Sequence, residues 1–191
     1  MRMAMQADLE FVTDRLVLRA LKKTDLAEFK QAISSSADTI GIWLDWCHEG
    51  FDDLEADAWI SRSRQNWLTG SCFEFLVLDK ATEHIVGAIY LSQIDQSANQ
   101  ANLGYWIRSE FQGCGFAVEA AEIAINIAFS HLLLTRLELV MSPRNKASIK
   151  VAERLGAHFE CRARNRIIYN SDPQEGLVYS LIPSDIEVPS R

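Results

Sequence analysis

The 191-residue chain predicts a single domain of the α/β (α+β) class, and three consecutive segments carry that prediction. Leu103 to Ile107 reads as a strand and passes through a small-residue loop, Gln112-Gly113-Cys114-Gly115, into an apolar run that begins at Phe116. From Ala117 to about His131 that run is apolar round most of its circumference (Val118, Ala121, Ile125, Ala128), the pattern of a buried helix. Arg136-Leu137-Glu138-Leu139 then alternates polar and apolar, as a strand does, until Ser142-Pro143 breaks it. A strand, a buried helix and a second strand in this order pack a helix against a sheet.

The other elements follow in chain order. Thr13 to Arg19 is expected to be the opening strand, and Asp25 to start a helix with Leu26, Phe29 and Ile33 on one face. Leu44-Asp45-Trp46 precedes a second helix. Asp45, Glu49, Asp52, Asp53, Glu55 and Asp57 there have no Lys or Arg between them. Carboxylates favour a helix N-terminus, so this run reads either as a solvated helix start or as a face for a cationic partner. Phe73 to Leu78 and Ile85 to Ile94 form a strand pair across a turn at Asp79 to His84. After the central segments, Asn145-Lys146-Ala147-Ser148 opens an amphipathic helix through Val151, Ala152 and Leu155, stopped by Gly156. Phe159 to Ile167 and Leu177 to Ile182 close the chain as strands around a loop expected at Asn170 to Gly176. Those strands are able to pair between subunits, so monomer and homodimer both stand open.

An apolar share of 48% in a chain of this length gives one compact domain with a sizeable core, about residues 11–183, and short tails. Met1 to Leu9 hold no apolar stretch of signal-peptide length. The most apolar window, Ala120 to Leu134, is interrupted by Glu122, Asn126, Ser130 and His131. A soluble cytoplasmic protein with no membrane association is the expectation. Cys47, Cys72, Cys114 and Cys161 are widely spaced, without Cys-x-x-Cys or a nearby His pair, so no metal site is expected. Cys114 stands at a helix N-terminus, where a thiolate is favoured, and equally is a small residue tolerated in a tight loop. Residues 1–100 hold nine Lys and Arg against sixteen Asp and Glu, a net charge of −7, while residues 101–170 hold nine against six, a net charge of +3. The basic half suits a polyanionic ligand, with Arg144, Lys146 and Lys150 as candidate phosphate contacts; the acidic half suits a cationic acceptor. No dense basic stripe with interleaved aromatics points to specific nucleic-acid binding.

The loop before the buried helix is an anion cradle. Gly113 and Gly115 let backbone approach a ligand, and the first-turn N–H groups of the helix point at whatever sits there. A P-loop would need Gly-Lys-Ser/Thr where Gly115 is followed by Phe116 and Ala117, and a dinucleotide fingerprint would need a third glycine where Val118 stands. Gln112, Gly115 and Ala117 instead form Gln-x-x-Gly-x-Ala; a turn needing glycine for geometry alone is the other reading of the loop. This motif resembles the acyl-coenzyme A loop of the GNAT acetyltransferase superfamily. Asn145-x-x-Ser148, Leu155-Gly156, Leu44-Asp45-Trp46 and Leu103-Gly104-Tyr105-Trp106 are similar to its RimJ/RimL branch, which acetylates the α-amine of ribosomal-protein N-termini.

The resemblance implies a GNAT fold: a central mixed, mostly antiparallel twisted sheet of about seven strands, flanked by about four helices, with the coenzyme A cleft at splayed central strands. It implies transfer of an acetyl group from acetyl-CoA directly to a primary amine, with no metal. By carry-over, Trp106, Ile107, Gln112, Gly113, Cys114, Gly115, Phe116, Ala117, Asn145 and Ser148 bind the cofactor, while Asp45, Trp46, Asn102 and Tyr105 meet the acceptor, for which a ribosomal-protein N-terminus is one candidate. A backbone N–H near Trp106 or Ile107 is the candidate oxyanion donor. Two departures stand out. The tyrosine that many members place on the helix after Asn145 is Ala152 here, which leaves Ser148 as the candidate acid; its hydroxyl is equally able to bond its own helix backbone. The RimL-like glutamate before the Leu-Gly-Tyr-Trp strand is Asn102, which cannot take a proton, so His48, Glu49 and Glu74 are the candidate bases, with relay through water as the alternative. An amino-acid, polyamine or other small-amine acetyltransferase, a non-catalytic acyl-CoA-binding module, and an interaction protein using the acidic Asp45 to Asp57 face are the remaining functional readings.

Overall fold

The computed structural model describes Met5 and residues 9–186; apart from Met5 and Leu9, the expectations for the amino-terminal segment and the final tail lie outside the described residues. Among the described residues, eight strands make one sheet: β1 (Glu10–Val12), β2 (Leu16–Ala20), β3 (Phe73–Asp79), β4 (Ile85–Asp95), β5 (Gln100–Ile107), β6 (Arg136–Met141), β7 (His158–Tyr169) and β8 (Asp172–Leu181). Their order is β1-β2-β3-β4-β5-β6-β8-β7, and only β5 and β6 run parallel. Helices α1 (Leu26–Ser34), α2 (Ala37–Ile40), α3 (Asp53–Thr69), α4 (Phe116–Asn126) and α5 (Lys146–Arg154) complete the fold. One core layer joins α1 and α3 to Leu76, Ala88 and Trp106; the other joins α4 to Phe75, Ile89 and Leu103 on the opposite face. β3 is buried on both sides, which is why its sequence Phe-Glu-Phe-Leu-Val-Leu is apolar at nearly every position.

Most elements lie where the residue patterns put them, and three differ. The opening strand starts at Leu16 rather than Thr13. Thr13 makes a turn instead, its Oγ1 accepting from the N–H of Leu16 at 2.8 Å and of Arg15 at 3.2 Å. The chain before that turn forms β1, an eighth strand too short for a period-2 pattern to register. The closing hairpin turns through two residues, Asn170 (φ 48°) and Ser171 (φ 62°), so the loop expected over 170–176 is mostly strand. Pro173 is tolerated there because it faces only β7, β6 pairing with β8 no further than Leu177. α2 adds a single turn that no periodicity announces.

The strand feature that makes a site is the short pairing of β5 with β6. They share only Gln100↔Arg136, Ala101↔Leu137 and Asn102↔Glu138 before parting. The wedge between them is where α4 begins and α5 lies.

On the β6-β8-β7 side, Arg136 of β6 grips Glu160 of β7 with two hydrogen bonds of 2.6 Å across the intervening strand, where Ser180 also donates to Glu160 at 2.7 Å. These donors, Arg136 first, lower the Glu160 carboxyl from the ordinary 4.5 to about 2. A folded-state value below the unfolded one means the stabilisation is complete above about pH 4.5 and is lost as the pH falls from there toward 2. Because the pair is partly solvated, its worth is about 1 kcal/mol rather than the full linkage value. Thermal melts of Glu160→Gln are expected to lose less stability than the parent over that acidic interval.

Candidate active site

The site is assembled on the wedge. Beyond Asn102, the peptide groups of β5 that would have met β6 have no strand partner, so the N–H groups of Tyr105 and Ile107 face a cleft of about 440 Å³, while that of Trp106, expected as a candidate oxyanion donor, is turned to β4 by the alternation of antiparallel pairing. The chain then makes a tight turn at Ser109–Phe111 and enters the cradle. Gln112 donates from Nε2 to the Ile107 carbonyl at 2.9 Å and to Thr39 Oγ1 at 3.1 Å, so this side chain ties the loop to the strand end and to α2. Gly113 (φ 79°) and Gly115 (φ 83°) both occupy the left-handed region, and Gly115 is the residue on which α4 starts. A Cβ at Gly113 would meet nothing within 4 Å, so backbone conformation, not crowding, demands glycine. Arg15 braces the cradle from the turn before β2: Nε donates to Glu119 of α4 at 2.8 Å, Nη1 to the Cys114 carbonyl at 3.2 Å, and the guanidinium lies 4.6 Å from the Phe116 ring centre.

α5 forms the opposite wall. Asn145 caps it, Oδ1 accepting from the Ser148 N–H at 3.0 Å, and Gly156 (φ 74°) ends it. This cap turns Ser148 inward. Its Oγ lies 2.9 Å from the Tyr105 hydroxyl of β5, so the hydroxyl spans the cleft rather than bonding its own helix. Burial pushes the Tyr105 phenol up to about 12, the Ser148 hydrogen bond opposing the shift; Tyr105 is a protonated donor at neutral pH.

Of the residues expected to hold cofactor, Trp106, Ile107, Gln112, Gly113, Gly115, Phe116, Ala117, Asn145 and Ser148 line the cleft, while Cys114 is exposed on the loop's outer side. Lys150 reaches the rim, as expected; Arg154, one turn further along α5, joins it, and neither Arg144 nor Lys146 does. Asn102 and Tyr105 line the cleft, and no partner among the described residues reaches the buried Asn102 Oδ1. The acceptor-loop expectations fare differently. Trp46 packs into the core against Trp59 (4.6 Å between ring centres) and Trp106 (6.2 Å), Asp45 accepts from the Asn170 N–H at 3.4 Å, and Trp43 and Leu44 take the lining positions instead. His48 contacts Glu55 at 3.1 Å on the surface, and exposed Glu49 is likewise outside the lining. Much of the acidic run is used in capping and pairing: Asp52 and Glu55 cap α3 reciprocally, and Asp53 pairs with Lys30 at 2.7 Å. Glu74 is buried under α3, away from this cleft.

The residues expected to bind cofactor fit the group. Two positive-φ glycines before a helix start, first-turn amides, cationic side chains on the rim and a cleft running through a parted sheet are what an acyl thioester carried on a pyrophosphate requires. Fold and site together define a nucleotide-thioester acyltransferase. The family model described as Acetyltransferase (GNAT) domain matches residues 15–158, and the chain belongs to that family: it is an acetyltransferase of the GNAT type. A solved structure described as a putative ribosomal-protein-serine acetyltransferase from Vibrio cholerae is 37% identical, with a TM-score of 0.85 over 94% of this chain and 100% of that one. The protein named Putative ribosomal N-acetyltransferase YdaF of Bacillus subtilis is 27% identical over 177 residues, 92% of this chain and 96% of that protein. Spermidine N(1)-acetyltransferase of Vibrio cholerae is 24% identical over 145 residues, 76% and 80% of the two chains. Among the described residues, no helix is long and apolar enough to cross a membrane.

Proposed function

We propose that the protein acetylates a protein N-terminal α-amine, of the RimJ/RimL kind, using acetyl-CoA. The Tyr105–Ser148 hydroxyl pair, held at 2.9 Å in the middle of the cleft, is the observation that carries the catalytic part of this reading. Acetyl-CoA supplies the activated acetyl group. The amides of Gly113 to Ala117 bind its pyrophosphate, and the Ile107 amide of β5, the Trp106 N–H being turned to β4, meets the acetyl oxygen, where negative charge develops. Ser148, backed by Tyr105, supplies the proton that the departing sulfur needs. The likeness to the Vibrio cholerae structure over nearly the whole chain supports a protein acceptor. The acidic segment ahead of α3 suits a basic ribosomal-protein tail, and it equally suits a polyamine, the acceptor named for the spermidine relative.

Thiol release from acetyl-CoA, measured with Ser- and Ala-starting peptides beside spermidine, separates the two. Peptide turnover at least tenfold above that of spermidine in kcat/KM is the expected result. The reverse order assigns the enzyme to small amines.

A further inference from the structure

Glu74, Tyr90 and Gly104 are directly opposite one another on β3, β4 and β5, a straight row across the sheet that ends where β5 and β6 part. All three are on the α1/α3 face, the far side from Tyr105 and Ser148. Gly104 makes this row possible. A Cβ there would fall 2.1 Å from Tyr90 Cε2 and 2.8 Å from its hydroxyl, so the phenol lies over bare β5 backbone, and Tyr90 lines the cleft.

Behind Tyr90 is a second cavity of about 220 Å³, lined by Glu74, Trp59, Arg62, Cys72 and Ser92 among others. Among the described residues, Tyr90 alone lines both cavities, and so stands between them. Glu74 is only 7% exposed. Its two oxygens share the Trp59 indole N–H at 2.9 and 3.1 Å, which leaves acceptor capacity turned toward the cavity. Burial raises its carboxyl, against opposing Trp59, Ser63 and Arg62 contributions, and makes it a stronger base than a surface glutamate. Tyr90 is raised too, by burial first and then by Glu74, Cys72 and Tyr105; it stays a neutral phenol, able to accept one proton while giving up another.

We infer that Tyr90 and Glu74 form the route by which the acceptor ammonium loses its proton before attack. The amine meets the Tyr90 hydroxyl on the α1/α3 face of the cleft. Its N–H bond breaks toward the phenol oxygen as the phenol proton passes, relayed by water in the second cavity that Tyr90 and Glu74 both line, to the Glu74 carboxylate, leaving a neutral amine, an unchanged phenol and a carboxylic acid. Glu74 then returns its proton to solvent through the second cavity. Proton removal thus lies on one face of the splayed sheet and proton delivery, by Ser148 and Tyr105, on the other. This rests on the proposed amine acetylation but not on which amine is used.

The test compares Tyr90→Phe and Glu74→Gln with the parent at pH 6.5 and pH 9, on an Ala-starting peptide and on spermidine. An α-amine with its ordinary pKa of about 7.7–8.0 is neutral in only about one part in twenty at pH 6.5, and almost wholly neutral at pH 9. An enzyme without the route uses only the neutral fraction. Tyr90→Phe is therefore expected to lose about twentyfold in kcat/KM for the peptide at pH 6.5 and to recover to within about twofold at pH 9, with acetyl-CoA affinity unchanged by calorimetry. Glu74→Gln is expected to show the same recovery, and the double variant no further loss. For spermidine, still protonated at pH 9, the defect persists at both values. The proposal is overturned if Tyr90→Phe matches the parent at pH 6.5, or if its defect is the same at both pH values with the peptide. Turnover of spermidine alone overturns the N-terminal reading and leaves the comparison of variants intact.

Discussion

Ser148→Ala is expected to lower kcat by about a hundredfold, the ordinary worth of a positioned proton donor, with acetyl-CoA affinity changed by no more than a few-fold. The reason is placement. Asn145 holds the first turn of α5 through the Ser148 N–H, and the hydroxyl then has one protein partner, the Tyr105 phenol at 2.9 Å. In the proposed reaction Tyr105, kept protonated by burial, donates to Ser148 as Ser148 donates to the departing sulfur. Tyr105→Phe should therefore cost a comparable share of kcat. Because the two hydroxyls act in series, the double variant should be little worse than the poorer single one. Stopped-flow measurement of thiol release with saturating peptide reads kcat, and titration calorimetry reads the cofactor. Undiminished turnover in Ser148→Ala would remove it from the chemistry, and parallel losses in turnover and affinity would make it a binding residue.

Gly115→Val is expected to weaken acetyl-CoA binding by at least tenfold and to lower the melting temperature. Gly115 begins α4 at φ 83°, a region that costs an ordinary L-residue about 1–2 kcal/mol and a β-branched one more. The loop relieves that strain by moving, and the amides it aims move with it. A Cβ at 115 would clear Arg15 by 3.7 Å, so a steric clash is not the cause. Gly156→Val is the matched control, because Gly156 has φ 74°, open space around it and no place in the cleft lining. It should lose stability to a similar degree while binding acetyl-CoA within about twofold of the parent. Equal loss of affinity in both variants would show that the cradle's geometry matters no more than general stability.

The cradle was legible because its chemistry is local. Gln112 to Ala117 are contiguous, two glycines report a backbone that side chains disfavour, and the apolar run behind them names a buried helix. The same holds for Asn145 and Gly156, which cap and end α5 within eleven residues of each other. The Ser148 expectation came from the family resemblance, which puts a hydroxyl one turn before Ala152 on the same helix.

What sequence could not decide is which distant residues meet. Glu74 was one of three candidate bases and Tyr90 an ordinary strand position; that the two stand in one row across three strands leaves no trace along any one of them. The partner of Ser148 lies forty-three residues away and came from pairing register. His48, Glu49 and Trp46 had the residue types a site needs in a segment that fits one, yet capping of α3 and packing of the three tryptophans held them on the surface or in the core. Local propensity and spacing set the elements and the two-glycine loop of this acetyltransferase; the parting of β5 from β6, and with it the placing of Tyr90 and Tyr105 on opposite faces of the sheet, was decided only by tertiary hydrogen bonding and packing between segments far apart in the chain.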